Sequence, residues 1–342
     1  MNSAEPRWVK RPLGSNWGDF GRDDQLGRIN WLDADAVRRG IAEVREGRTF
    51  SLSLPLDLPG GNALNASRFP PQVSPSIRRG KGHFNYDMSQ EFDAAPDVTN
   101  DDMCVLFPQY STHWDALAHV GGKFDTGVGA SDATVYYNGY RGGVDIVARE
   151  VNGDRRSFAG KLGVDSMARH PVQGRGVLLD IARHHGDAGA LIDFDGIRQI
   201  LDADKITIER GDILCLHTGY ARAILDMQGK PDKDALSKRG AALDGRDQRL
   251  LNWITEAGIV AIAADNYAVE KSPADRLTPG TAVYPLHEHC LFKLGIPLGE
   301  LWYLSDLAEW LHSRQRTRFL LTAAPLALPG AVGSPVNPIA TV

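Results

Sequence analysis

Three side chains able to hold a metal or move a proton fall within seven residues: His113, Asp115 and His119, in the stretch Gln-Tyr-Ser-Thr-His-Trp-Asp-Ala-Leu-Ala-His that begins at Gln109. An imidazole and a carboxylate aimed at one point can bind a divalent cation. A nearby imidazole left out of the coordination can carry protons. Asp115 and His119 are four residues apart, which on a helix puts them on one face. His113, two residues before Asp115, reaches the same point from a strand end or a turn. The competing reading is an amphipathic helix start that carries two histidines. With only ten histidines in 342 residues, the clustering favours chemistry.

Such a cluster needs elements to hold it. Met103 to Phe107, just before it, is a short apolar run that reads as a buried strand, and sites in α/β sheets gather beyond strand ends. A first helix is marked by Asp33 or Asp35 as cap, a stripe of Val37, Ile41 and Val44, and Gly47 as its stop. Phe50, Leu52 and Leu54 alternate with serines as a half-buried strand does. Buried strands are expected at Val177–Ile181, Ile213–Leu216, Ile259–Ala263 and Phe319–Ala324. Helices are expected at Asp195–Leu201, around Leu250, Leu251 and Ile254, and at Leu307–Leu311. Pro59 to Asp101 reads as loops and short strands over a pocket mouth, and the Pro- and Gly-rich tail after Leu328 as a surface segment. Strands and helices alternate from residue 175 onward, with no internal repeat and no dividing linker. The expectation is one α/β domain with a mixed β-sheet over residues 1–342, its first 30 or so residues forming an N-terminal arm.

Several polar residues fall where these elements end. His217 closes Ile213–Leu216 and either points into a site or satisfies a local hydrogen bond. Asp265, after Ile259–Ala263, either orients substrate or a neighbouring histidine, or caps the next turn. Trp17 either walls a substrate pocket or packs the arm onto the body. His83, His184 and His185 read as surface histidines, and Arg175 as structural. Gly174-Arg175-Gly176 precedes its strand, so a dinucleotide loop is excluded. A helix from Tyr284 to Leu294, ended by Gly295 and Pro297, carries both His287 and His289, with Glu300 beyond it.

Composition is that of a globular protein, with 42% hydrophobic and 24% charged residues. A net charge of −5 and the lack of a basic run with interleaved aromatics argue against nucleic acid as a partner. No stretch approaches the roughly 18 apolar residues that span a bilayer, and the N-terminus does not read as a signal peptide. Cys104, Cys215 and Cys290 imply no disulfide framework, and the apolar runs around Cys104 and Cys215 suggest buried thiols. A cytoplasmic location and no membrane association are expected.

The stretch from Gln109 to His119 resembles the signature His-x-x-x-His-x-Asp-x-x-x-His of the metal-dependent cyclase/hydrolase family that includes bacterial kynurenine formamidase and isatin hydrolase. His113, Asp115 and His119 match its last three positions, and Gln109 stands at its first histidine. Longer members also show a histidine, a glycine eight residues on and a glutamate five beyond. His287, Gly295 and Glu300 keep those spacings. On the residues alone either His287 or His289 could serve; the resemblance selects His287. The segments from Asn16 to Asn30, Tyr136 to Gly139, Gly174 to Asp180, Ile259 to Glu270 and Leu286 to Leu307 are similar to family elements as well.

The resemblance implies a swivelling β/β/α fold, metal ligation by His113, Asp115, His287 and Glu300 with Gln109 at a ligand position, and His119 as general acid/base. It implies a divalent metal, Mn²⁺ or Zn²⁺, as one or two ions. The neutral amide oxygen of Gln109 favours one ion, and Mn²⁺ over Zn²⁺. A homodimer or homotetramer is implied too. The expected activity is hydrolysis of a C–N or C–O bond in a small amide, formamide, lactam or lactone by metal-activated water. The alternatives are a ring-closing cyclase or dehydratase, and a metal-dependent small-molecule binding protein without catalysis.

Overall fold

A nine-stranded mixed sheet draws its strands from almost the whole chain. In chain order they are β1 (Thr49–Ser51), β2 (His113–Asp115), β3 (Gln173–Asp180), β4 (Ile213–His217), β5 (Ala261–Ala264), β6 (Leu298–Glu300), β7 (Arg318–Thr322), β8 (Gly333–Pro335) and β9 (Ile339–Thr341). Their order across the sheet is β1-β9-β7-β3-β4-β5-β6-β2-β8. The central four, β3 to β6, run parallel, and the strands on either side run antiparallel. The computed structural model describes residues 6–275 and 277–342, so the first five residues of the expected arm lie outside the described residues.

The central strands carry unbroken apolar runs, Val177–Leu179, Ile213–Leu216 and Ala261–Ala264, because both faces are covered there. Val177, Leu179, Leu214, Leu216 and Ile262 point to one side, where Ile197 and Ile200 of helix α2 (Phe194–Ala203) and Leu250 and Ile254 of helix α3 (Gln248–Glu256) pack on them. Leu178, Ile213, Cys215, Ala261 and Ala263 point to the other, against Leu307 and Leu311 of helix α4 (Ser305–Ser313) and the edge-to-face indoles of Trp114 and Trp302. Helices α2 and α3 are each capped by an aspartate, Asp193 and Asp247.

Several expectations are corrected. The first helix, Ala34–Ile41, is capped by Asp33 but ends six residues before Gly47. Its buried face is Ala36 and Gly40, not the stripe of Val37, Ile41 and Val44; Ile41 is 54% exposed. The smaller residues win because the helix lies directly on the β3 backbone, where a Cβ on Gly40 would stand 2.7 Å from the carbonyl carbon of Gly174. The tail after Leu328 is not a surface segment. It supplies β8 and β9, with Pro335 tolerated because β8 is an edge strand.

The run before His113 is not a buried strand either. Asp102–Val105 pairs only with Gln72–Pro75 in an exposed ribbon, which leaves Met103 and Val105 half exposed and Cys104 in solvent. The rest of Pro59 to Asp101 forms two more small ribbons. His83 is buried there, with Nε2 2.8 Å from Thr99 Oγ1 and its ring edge-on to Tyr86. His184 is largely covered as well, 2.9 Å from Asp204, and His185 is only partly exposed. Arg175 is structural as expected, paired with Asp212 at 2.8 Å beneath the sheet. No helix among the described residues is long and apolar enough to cross a membrane.

The Gly40 contact yields a test. Alanine improves helix propensity by about 1 kcal/mol over glycine, but overpacking against rigid backbone costs about 1–3 kcal/mol. Gly40→Ala is expected to lower stability to urea, whereas Ile41→Ala on the exposed face is expected to change it little.

Candidate metal centre

The centre forms where the sheet turns from parallel to antiparallel. Strand β2 lies between β6 and β8, and register places His113 directly opposite Glu300. Side chains two apart on a strand share a face, so His113 and Asp115 point the same way, beside Glu300. This corrects the helical reading of the motif: His113–Asp115 is a strand, and a turn closed by the His119 amide on the Ala116 carbonyl follows it. That turn still brings His119 Nε2 to 3.7 Å from Asp115 Oδ1. The helical spacing and the tight turn give the same neighbours, which is why the sequence could not separate them.

His113 Nε2 lies 3.7 Å from Asp115 Oδ1 and 3.6 Å from Glu300 Oε2, and one ligand atom from each residue falls within a 4.8 Å cluster. His113 Nδ1 is 2.7 Å from the Ser111 carbonyl. That bond requires the proton on Nδ1 and leaves the Nε2 lone pair facing Asp115 and Glu300. His113 Nε2 and both Asp115 carboxylate oxygens are buried without a hydrogen-bond partner among the described residues. Buried polar atoms are rarely left so. A lone pair and two anionic oxygens that converge fit a divalent cation.

The electrostatics agree. Burial alone would push Asp115 and Glu300 towards the neutral acid. The histidines around Asp115, and the hydrogen bond from His287 to Glu300, instead hold both carboxyls below the usual range. His287 Nε2 is 3.2 Å from Glu300 Oε1, and its Nδ1 is 2.8 Å from Glu270 Oε1. Burial disfavours a charged His287, but these two carboxylates outweigh it and raise its pKa to about 10. His119 behaves differently: burial dominates and lowers its pKa, so it is neutral near pH 7 with a free lone pair to offer.

Glu270 is a residue that the sequence did not single out. Fully buried, it accepts the Leu286 and His287 amides at 2.9 Å as well as the His287 ring. It thereby sets both the start of the helical turn and the tilt of the imidazole. It is carried by a strained turn in which Ala268 and Val269 have φ of +76° and +58°. A β-branched residue at positive φ is an outlier. The amide of Asn266 bonds the Ala241 and Val269 carbonyls, and Leu243 pairs with Val269 and Lys271, to hold it there.

The other expected residues fall as follows. His289 is turned away, with Nε2 2.9 Å from Thr255 Oγ1, so His287 is the one beside Glu300. The Gln109 side chain packs on Gly333, the residue paired with Asp115; a Cβ on Gly333 would meet its Nε2 at 2.6 Å. Trp17 lies in the core, with its indole N–H on the Phe292 carbonyl and its ring edge-on to Phe292. Asp265 accepts from the Thr218 amide and hydroxyl and the Gly219 amide, tying the end of β5 to the end of β4. His217 bonds Asp180 at 2.7 Å and Ser305 at 3.2 Å. None of these last three lines the pocket of about 310 Å³ that opens over His119, His287 and Glu300. The walls of that pocket include Arg68, Tyr267 and Tyr284.

The Cyclase family model, described as "Putative cyclase", matches residues 51–271. The chain belongs to this family. Among solved structures, one described as a novel cyclase superposes with a TM-score of 0.75 at 29% identity, covering 96% of this chain and 97% of that one. Two isatin hydrolases A share the fold more distantly. The enzyme from Labrenzia aggregata, bound to benzyl benzoate, has a TM-score of 0.55 at 14% identity over 86% of this chain and 93% of that one. The enzyme from Ralstonia solanacearum has 0.53 at 16% over 90% and 95%. No curated protein sequence matches. The large mixed sheet is thus the cyclase fold, as the sequence led one to expect.

Two outcomes follow for this cyclase-family chain. Glu270→Gln should leave the chain folded by circular dichroism but weaken Mn²⁺ or Zn²⁺ binding about 10- to 100-fold by calorimetry, the usual cost of losing a carboxylate behind a ligand histidine. The His217–Asp180 pair should show in stability against pH. His217 is raised above its ordinary 6.5, so its contribution is complete below that pH and is lost as pH rises through the folded value. Asp180 is lowered from 3.8, so its contribution is present above 3.8 and is lost as pH falls through its folded value. The urea-unfolding gap between wild type and His217→Gln should therefore be widest around pH 4–6.5 and narrow at alkaline pH.

Proposed function

We propose that this chain is a metal-dependent hydrolase that cleaves a C–N or C–O bond in a small amide, formamide, lactam or lactone. The observation that carries the reading is the convergence of unpartnered His113 and Asp115 atoms with Glu300, beside a neutral His119 on the floor of a small pocket. His113, Asp115 and Glu300 would hold the cation, and His287 would join them on giving up the Nε2 proton it shares with Glu300, with Gln109 close by. A donor set rich in oxygen suits Mn²⁺ as well as Zn²⁺. A divalent ion so held supplies a Lewis acid for the scissile carbonyl and lowers the pKa of water.

The chain's own residues do the rest. The neutral His119 imidazole takes the proton from the attacking water and returns it to the leaving nitrogen or oxygen. Glu270 keeps His287 oriented, and Tyr267 and Tyr284 border the substrate. The fold shared with isatin hydrolases supports a hydrolytic reading, because their reaction is also a hydrolysis.

Elemental analysis of protein purified without added metal tests this. One Mn or Zn per chain, lost in His113→Ala, is the expected result; two would mean that Gln109 leaves room for a second ion. No metal in either protein, and none taken up on reconstitution, would sink the proposal. His119→Ala should retain its metal yet lose about 10²- to 10⁴-fold in turnover of a responsive lactam, lactone or formamide.

A further inference from the structure

Arg68 is the one charged group on the pocket wall that the hydrolytic reading leaves without a task. It comes from the loop-rich segment that the sequence pattern left undefined, and it lines the same 310 Å³ pocket as His119, His287 and Glu300. Among the described residues its side chain makes one hydrogen bond, from a terminal nitrogen to the Gln109 carbonyl at 2.7 Å, and no carboxylate pairs with it. Two more deeply covered arginines are held at both terminal nitrogens or by carboxylates, although the Arg28 Nε has no partner among the described residues. Arg175 is bound to Asp212 and Glu209, and Arg28 donates to the carbonyls of Ile254, Thr255 and Ile259. A guanidinium anchored at one nitrogen, with the rest of its fork free, is set up to receive a planar anion in two-point fashion.

Its position is held from behind. The Arg68 amide bonds the Asn65 carbonyl, and the Asn65 side chain donates to the Tyr267 hydroxyl at 3.2 Å. Tyr267 in turn adjoins the strained turn that carries Glu270. The guanidinium carbon stands 6.0 Å from the centre of the Tyr267 ring. A fixed positive charge on the pocket wall, apart from the His119, His287 and Glu300 side, gives a substrate carboxylate one place to dock and so one orientation.

We propose that Arg68 is the specificity residue of this site and that it binds a carboxylate on the substrate, at a point other than the bond that is cleaved. This rests on the hydrolytic reading above. It narrows the substrate to a small amide or ester that already bears a carboxylate, with a flat body that fits between Tyr267 and Tyr284. A neutral cyclic amide would leave Arg68 without a partner.

The test uses matched formanilides, one with a ring carboxylate and one with a carboxamide at the same carbon, on the metal-loaded protein. Calorimetric binding of benzoate and benzamide is measured in parallel. Wild type should prefer the carboxylate member in kcat/KM by about 10- to 100-fold, the scale of a charge-assisted pair. In Arg68→Gln the preference should collapse towards one, mainly through KM, and Arg68→Lys should restore part of it. Benzoate should outbind benzamide in wild type and lose that advantage in Arg68→Gln. Equal turnover of the two formanilides by wild type, or an unchanged preference in Arg68→Gln, overturns the proposal. If no amide or ester is hydrolysed, the hydrolytic reading falls. Arg68 is then judged by binding alone: benzoate affinity that depends on Arg68 upholds its anion-reading role, and equal affinity in wild type and Arg68→Gln ends it.

Discussion

The antiparallel seam between His113–Asp115 and Leu298–Glu300 is the constraint on which the site depends. It puts a histidine and a glutamate far apart in sequence on directly opposed positions, and the two-residue repeat of the strand adds Asp115 to the same face. A slip of one residue in the motif strand would send His113 and Asp115 to the face away from Glu300. Gly333–Pro335 on the far side of His113–Asp115 helps to prevent that, because each residue of the motif strand is then paired on both edges.

Around this seam, buried charge is arranged so that it must be compensated. Asp115, Glu270 and Glu300 are all removed from water, and among the described residues the basic groups paired with Asp115 and Glu300 are histidines. Ionised carboxylates in such a place are costly unless a positive group joins them. The three histidines nearby are not equivalent. His113 is fixed by a backbone carbonyl and His287 by Glu270, while the His119 ring has no such bond among the described residues and lines the pocket. Two anchored rings and one unanchored ring suit two holding roles and one mobile-proton role.

Much of this was legible in the sequence, for identifiable reasons. The spacing of His113, Asp115 and His119 survives translation from helix to strand and turn, so the residues were found although their element was not. His287 and Glu300 were legible only through the family spacing to Gly295, since nothing in their own surroundings sets His287 apart from His289. Glu270 and Arg68 were not legible. Their partners lie 17 and 41 residues away, and no local pattern connects a carboxylate to a ring or a guanidinium to a carbonyl over such distances. The central strands were read correctly because a short, unbroken apolar run between turns suits a strand covered on both faces and little else. The C-terminal strands were missed because proline and glycine at a sheet edge look the same in sequence as a loop.

Those last strands have a consequence for how the molecule is made. Gly333–Pro335 flanks the motif strand, and Ile339–Thr341 fills the gap between Thr49–Ser51 and Arg318–Thr322. The sheet therefore cannot close until residues 333–341 have been made. A chain of such high contact order pays its loop-closure entropy late. His113 and Asp115 emerge long before Glu300 and spend that interval as an incomplete, open pair. Assembly of the candidate metal centre is in this way tied to synthesis of these late strands, and a product that stops short of residue 333 would lack a paired edge beside His113.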